Sequence, residues 1–174
     1  MGIKRFLDCV RDTVQFVLTF QVETHEIENE GLVCEEDKYT VEAVWADHLI
    51  PSLAYAFVEK PRAGRFYPEK ARRLHVPEGP LWGKLQQGNN VRLSSGKIVE
   101  PNQVIGHSRI GRKIVYTGDT RPFDRLAEFA VDADLLIHDA TFDDDLAERA
   151  KEDGHSTVSQ AAKAAKKANA KTLL

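Results

Sequence analysis

The sequence predicts an α/β domain with its chemistry at the C-terminal ends of its strands. Three observations carry that prediction. Short apolar runs such as Lys113 to Tyr116 and Asp134 to Ile137 alternate with stretches of helical spacing. Both of those runs end directly in polar motifs, Thr117-Gly118-Asp119-Thr120 after the first and His138-Asp139 after the second. Layered α/β sheets place ligands at such strand ends, where the loops are free to carry polar groups.

The elements follow in chain order. Ile3, Phe6, Leu7, Val10, Val14, Val17 and Leu18 recur at helical spacing and predict an amphipathic helix over 3–18. The acidic stretch 23–37, with Asn29 and Gly31, reads as strand ends and turns. Tyr39 to Trp45 alternates and is rich in β-branched and aromatic residues, so it predicts a strand that delivers Asp47 and His48 to a loop. After the Pro51-Ser52 break, Leu53 to Val58 predicts a second strand.

From Pro61 to about Gly88 the pattern changes. Pro61, Pro68, Pro77 and Pro80 are interspersed with basic residues and few apolar runs, which predicts an excursion from the core. Val91 to Val99 predicts a hairpin turning at Ser94 to Gly96. Lys113 to Tyr116 is the next strand, followed by a helix around Phe123 to Val131 and a strand over Asp134 to Ile137. The final helix starts at Gly154-His155-Ser156-Thr157, with Ser156 or Thr157 as N-cap, and runs to about Asn169. Its apolar face is Val158, Ala161, Ala162, Ala165 and Ala168, small enough to lie close to a sheet. Lys171 to Leu174 begins another strand, so the expectation is a chain that stops inside a structural element.

Composition narrows the class. The chain has 174 residues, enough for a single domain, and 42% of them are hydrophobic, which fits a globular protein with a buried core. No apolar run approaches the ~20 residues a membrane span requires, and Asp8, Arg11 and Asp12 interrupt any leader-like segment at the N-terminus. Cys9 and Cys34 provide neither a disulfide framework nor a CxxC motif, which suits a reducing cytoplasm. The net charge of −3 conceals a basic cluster, Lys60, Arg62, Arg65, Lys70, Arg72 and Arg73. That cluster reads either as a solvated, salt-bridged face or as a surface for a phosphate backbone.

Six histidines stand at positions 25, 48, 75, 107, 138 and 155, too far apart in the chain for a local HxxxH chelate. Any metal must be gathered from distant loop tips, here those carrying His48, Asp119 and His138-Asp139. Taken singly, each residue has a structural reading: an Asx turn or helix cap for Asp119, a structural hydrogen bond for His138-Asp139, a capping or core role for His155. Their shared placement at strand and helix ends is what makes them candidates together.

In its order of motifs the chain resembles the tRNase Z family of the metallo-β-lactamase superfamily. The resemblance rests on Asp47-His48, Pro51 to Phe57, Gly79-Pro80 to Leu85, Tyr116 to Thr120, His138 to Phe142 and Gly154 to Thr157, and it covers essentially the whole chain. It implies a portion of the αββα metallo-β-lactamase sandwich, a single partial domain over 1–174 with a protruding substrate-binding arm over about 61–88. It implies zinc, two ions per complete subunit, with His48 and Asp119 as ligands and Asp119 bridging. Asp139 and His155 resemble the pair implicated in proton transfer to the leaving 3′ oxygen. Asp139 stands where glutamate is commoner, a reach shorter by one methylene. Arg62, Arg65, Lys70, Arg72, Arg73, Gly79, Pro80 and Lys84 resemble the arm that clamps precursor tRNA, and a homodimer is implied as well.

The family's HxHxDH motif and its final histidine have no counterpart in the chain. The expectation is therefore truncation at both ends, an incomplete zinc site and no activity of this stretch alone. Two other readings stand beside this one. A hydrolase of the same superfamily acting on a small phosphodiester or sulfate ester would have no use for the Gly79-Pro80 arm. A non-catalytic RNA-binding or dimerisation module would lack metal.

Overall fold

The computed structural model describes residues 2–14 and 19–174. Its elements are α1 (Ile3–Val14), β1 (Gly31–Glu35), β2 (Tyr39–Ala46), β3 (Ser52–Glu59), α2 (Pro68–Arg73), α3 (Pro80–Gln86), β4 (Val91–Arg92), β5 (Ile98–Val99), β6 (Lys113–Tyr116), α4 (Leu126–Phe129), β7 (Leu135–Ile137), α5 (Ala147–Asp153) and α6 (Val158–Lys167). Five strands form one sheet in the order β1-β2-β3-β6-β7, antiparallel throughout except for the parallel β6–β7 pair. The parallel pair requires a crossover, and α4 lies in that connection.

One face of the sheet is covered. Ala56, Val115 and Leu136 point into a cluster with Leu126 and Ala130 around α4, Ala133, Ala165 of α6 and Ala168 at its C-cap. The alanine face of α6 brings that helix close to the strands, as its spacing implies. Leu126 and Leu136 are 1% and 0% exposed, and truncating either to alanine would cost about 2–5 kcal/mol. The other face leaves Trp45, Ile114 and Tyr116 in solvent. The predicted α/β class and the expected portion of an αββα sandwich correspond to this single sheet with helices on one side.

The chain leaves the sheet after β3 and rejoins it at β6. Two segments approach each other at the base of this excursion through bridges between Arg62 and Arg109 and between Phe66 and Ile105. Beyond them lies a second hydrophobic cluster of Ala71, Val76, Leu85, Val91, Leu93, Val99 and Val104. The segment expected as an arm, about 61–88, thus shares a core with the β4–β5 hairpin that follows it.

Several elements differ from their sequence-based bounds. The N-terminal helix is described over Ile3–Val14 and has no buried residue, while Val17 and Leu18 lie outside the described residues. The helix expected around Phe123 to Val131 is one turn, Leu126–Phe129. Val131 N–H bonds back only three residues, to Glu128, and Asp132 turns to a φ of 55°, which ends the helix. Helix α5 was not legible from periodicity, because within Ala147–Asp153 only Ala150 is buried. Lys171 to Leu174 pairs with β7 through Leu136 N–H to Thr172 O and Leu174 N–H to Leu136 O, both 2.9 Å.

Candidate active site

Four turns converge beyond the ends of β2, β6 and β7. The turn after β6 carries Asp119, with Gly118 at a φ of 61°. The turn after β7 carries His138 and Asp139. Helix α5 ends on Gly154 in the left-handed region, and His155 and Ser156 follow before α6 starts at its N-cap, Thr157. Thr157 and Gln160 form a reciprocal capping box, which fixes the direction in which the chain leaves His155.

The centre of the arrangement is the Asp139 carboxylate, whose side chain is 2% exposed. Oδ2 accepts the Thr120 N–H at 3.0 Å and lies 2.8 Å from His155 Nδ1. Oδ1 accepts the Thr141 N–H at 2.9 Å and the Thr141 hydroxyl at 2.6 Å. Burial acts to raise its pKa, but the bonds from the Thr141 hydroxyl, the Thr120 N–H, His155 and the Thr141 N–H outweigh burial and hold it below the usual carboxylate value. A carboxylate so saturated orients its partner. With Nδ1 committed as the donor to Asp139, His155 has Nε2 left for chemistry.

One oxygen or nitrogen each from Asp119, Asp139 and His155 lie within 4.8 Å of one another. His48 stands beside this group, its ring centroid 5.2 Å from that of His155. His48 Nδ1 is 2.8 Å from Gly154 O. A carbonyl only accepts, so Nδ1 carries the proton and Nε2 keeps its lone pair, the tautomer that a metal ligand requires. The donor chemistry of His48 Nε2 and the exposed Asp119 carboxylate fits a divalent cation of borderline softness.

Buried hydroxyls tie the turns together. Thr117 Oγ1 accepts the Asp139 N–H at 3.1 Å, Thr120 Oγ1 accepts the Asp47 N–H at 3.1 Å, and Ser156 Oγ donates to Thr120 O at 2.7 Å. These residues, with Thr141, were not singled out from the sequence. The available signal was their position inside the Thr-Gly-Asp-Thr, His-Asp-Ala-Thr and His-Ser-Thr motifs. His138 points elsewhere: its Nδ1 is 2.7 Å from Asp139 O, and its Nε2 is buried with no partner among the described residues.

The basic residues of the excursion are not part of this group. Arg62 pairs with Glu59 at 3.4 Å, and Arg72 pairs with Glu78 at 2.8 Å while lying over the Trp82 ring. Lys70 lies over the Tyr67 ring. Arg65, Arg73 and Lys84 are exposed and form no ion pair among the described residues. Gly79, at a φ of 115°, precedes Pro80, which begins α3.

A sheet with helices on one side carries carboxylate and imidazole groups at its strand ends, close enough together to hold a divalent cation. The β-lactamase superfamily domain model matches residues 82–174, and the chain belongs to that superfamily. Within it, the relatives place the chain in the tRNase Z family. It is 49% identical over 157 residues to ribonuclease Z of Myxococcus xanthus, covering 90% of this chain and 51% of the relative. It is 45% identical over 173 residues to ribonuclease Z of Methanosarcina acetivorans, covering 99% of this chain and 56% of the relative. Among solved structures, the short form of human tRNase Z matches with a TM-score of 0.63 and 25% identity, over 99% of this chain and 56% of that one. YhfI of Bacillus subtilis matches in fold, with a TM-score of 0.52 at 17% identity, over 99% of this chain and 46% of that one. The chain spans about half the length of the curated relatives it matches.

Proposed function

We propose that this chain is part of a tRNA 3′-processing endoribonuclease, which hydrolyses the phosphodiester that joins a 3′ trailer to precursor tRNA. The observation that carries the reading is the Asp139–His155 pair, 2.8 Å apart and beside Asp119. The names of its relatives, ribonuclease Z, support the substrate. In this reading water adds to phosphorus, the P–O3′ bond breaks, and the trailer leaves with the phosphate. The tRNA 3′ oxygen departs as a poor leaving group and takes a proton from His155, which Asp139 holds in orientation.

The metal in this proposal is zinc, about two ions per complete subunit, as two-metal phosphoryl sites use. His48 and Asp119 are the ligands assigned from this chain. Bound zinc supplies a water of lowered pKa and offsets charge on the scissile phosphate. The excursion, through Arg65, Arg73 and Lys84 and the paired Arg62, Lys70 and Arg72 with Gly79-Pro80, holds the tRNA away from the cleavage point by its phosphates. A homodimer working in the cytoplasm completes the reading. Among the described residues no helix is long and apolar enough to cross a membrane.

The test is made in the full-length protein. His155→Ala should keep its zinc, lose about 10²- to 10⁴-fold in turnover on precursor tRNA, and lose far less on bis-nitrophenyl phosphate, whose leaving group needs no proton. Asp119→Ala should lose zinc and both activities together. Equal loss on both substrates in His155→Ala, or loss of its zinc, would overturn the assignment.

A further inference from the structure

Arg121 follows the Asp119 turn and touches two of the other turns that build the site. Its Nη1 donates to Asp47 Oδ1 at 3.1 Å, its Nε to Lys151 O at 2.5 Å and its Nη2 to Glu152 O at 3.5 Å. Asp47 immediately precedes His48. Residues 151 and 152 lie in the last turn of α5, just before Gly154, whose carbonyl holds His48 Nδ1, and His155. The contacts form a closed ring, from Arg121 through Asp47 and His48 to Gly154 and back through Glu152 and Lys151.

The chemistry at each contact calls for a guanidinium. The last carbonyls of a helix have no partner within it. At the end of α5 the Gly154 N–H and the His155 N–H both turn back to Ala150 O, so Lys151 O and Glu152 O take their hydrogen bonds from Arg121. A planar fork of five donors reaches two carbonyls and a carboxylate at once, which an ammonium on a single stem does not reproduce. The Arg121 side chain is 23% exposed against 50% for Asp47, so solvent screens the ion pair and the geometry is the larger consequence. The backbone link between the turns does not depend on this side chain, because Arg121 N–H donates to Asp47 O at 2.7 Å whatever residue stands there.

We propose that Arg121 is a positioning residue: its guanidinium sets the distance between the Asp47-His48 turn and the Gly154-His155 turn, and so holds the His48 and His155 imidazoles in their relative placement, ring centroids 5.2 Å apart. The proposal rests on the roles given above to His48 and His155. Without the side chain, the two turns keep the His48–Gly154 bond and the links through Thr120 and Ser156, but lose the guanidinium that fixes their spacing, so the orientation of His48 loosens.

The experiment uses the full-length protein with Arg121→Ala, Arg121→Lys and, as control, Arg149→Ala, which removes an exposed pair with Asp153 on the same helix. Zinc affinity is read by chelator competition, and the His48 tautomer by long-range proton–nitrogen spectra of the metal-free protein. Arg121→Ala should bind zinc about 10- to 100-fold more weakly, the usual effect of losing support behind a ligand, with its His48 Nδ1–H signal broadened or lost. Arg121→Lys should stay within a few-fold of Arg121→Ala, added guanidinium ion at millimolar concentration should partly restore Arg121→Ala, and Arg149→Ala should match the wild type. Wild-type affinity and an unchanged His48 signal in Arg121→Ala would overturn the proposal, as would full recovery in Arg121→Lys. Should Arg121→Ala not fold, Arg121→Lys decides between these outcomes. A wild-type protein that binds zinc but leaves precursor tRNA uncut would sink the tRNA reading while the affinity comparison still tests Arg121.

Discussion

His155 Nδ1 lies 2.8 Å from Asp139 Oδ2, and among the described residues every other group within hydrogen-bonding reach of that carboxylate is also a donor: the Thr120 N–H, the Thr141 N–H and the Thr141 hydroxyl. A surround of donors only suits a charged carboxylate and no neutral replacement. Asp139→Asn would turn an amide NH₂ toward donors, leaving buried groups unpaired at a cost of about 1–3 kcal/mol. Chemical denaturation should register that loss. Because Asp139 acts through His155, the Asp139→Ala/His155→Ala double variant should turn over precursor tRNA no more slowly than the worse single variant. Strict additivity in a kinetic double-mutant cycle would show that the two residues act independently.

A second prediction concerns Gly154. A Cβ built there would sit 2.5 Å from His48 Nδ1, and the residue has a φ of +85°. Gly96 has nearly the same φ, +84°, with nothing within 4 Å of its Cβ position. Both alanine substitutions bear the left-handed strain of about 1–3 kcal/mol, but only Gly154→Ala also displaces the His48 ring. Denaturation should show the larger loss at 154, and zinc affinity should fall only there. Equal losses at the two positions would mean that His48 accommodates the methyl group.

The basic residues of the excursion separate by their contacts. Replacing Arg65 and Arg73 with alanine in the full-length protein should weaken precursor-tRNA binding and flatten its salt dependence by about one unit of log–log slope per lost phosphate contact. Hydrolysis of a small phosphodiester should hardly change. Arg72→Ala removes instead a pair with Glu78 and a contact with the Trp82 ring, so its effect should also appear in stability. An unchanged salt slope in the Arg65/Arg73 variant would assign those two residues to the solvated surface.

The last prediction is a pH dependence of stability. Burial pushes the His138 imidazole below its usual 6.5, more than its hydrogen bond to Asp139 O and the Asp139 charge raise it. The unfolded chain therefore binds this proton more readily than the folded one. The sign follows: the full stability is present above pH 6.5, the unfolded value, and declines as the pH falls toward the folded value. Denaturation midpoints of this chain should drop below about pH 6.5, before the carboxylates titrate, and His138→Phe should reduce that slope. A profile identical in the variant would assign the acid limb to other groups.

Much of the fold was legible because it is written in local periodicity. β2, β3, β6 and β7 lie where alternation and β-branched content placed them, and Thr157, one of the two N-caps the sequence offered, caps α6. The one-turn α4 and the whole of α5 were misjudged or missed for one reason. Each buries a single residue of its own, Leu126 or Ala150, so no apolar stripe announces it. The site motifs were visible as polar residues at strand ends, and the family resemblance singled out His48, Asp119, Asp139 and His155 from among the other polar residues.

The amino-acid order by itself determined which residues alternate and which turns end the strands, and hence that Asp119 and Asp139 would stand at strand ends and His155 at the start of a helix. Tertiary structure alone decided what those residues do to one another. His48 receives its tautomer from a carbonyl 106 positions away, and Arg121 reaches an aspartate 74 positions before it and carbonyls 30 and 31 positions after it. Periodicity extends over a turn or a strand and carries no information across such separations. They close only when the sheet sets β2 and β6 on either side of β3 and α6 packs down beside them, so the proton positions and the aim of each imidazole follow from packing and not from the order of residues.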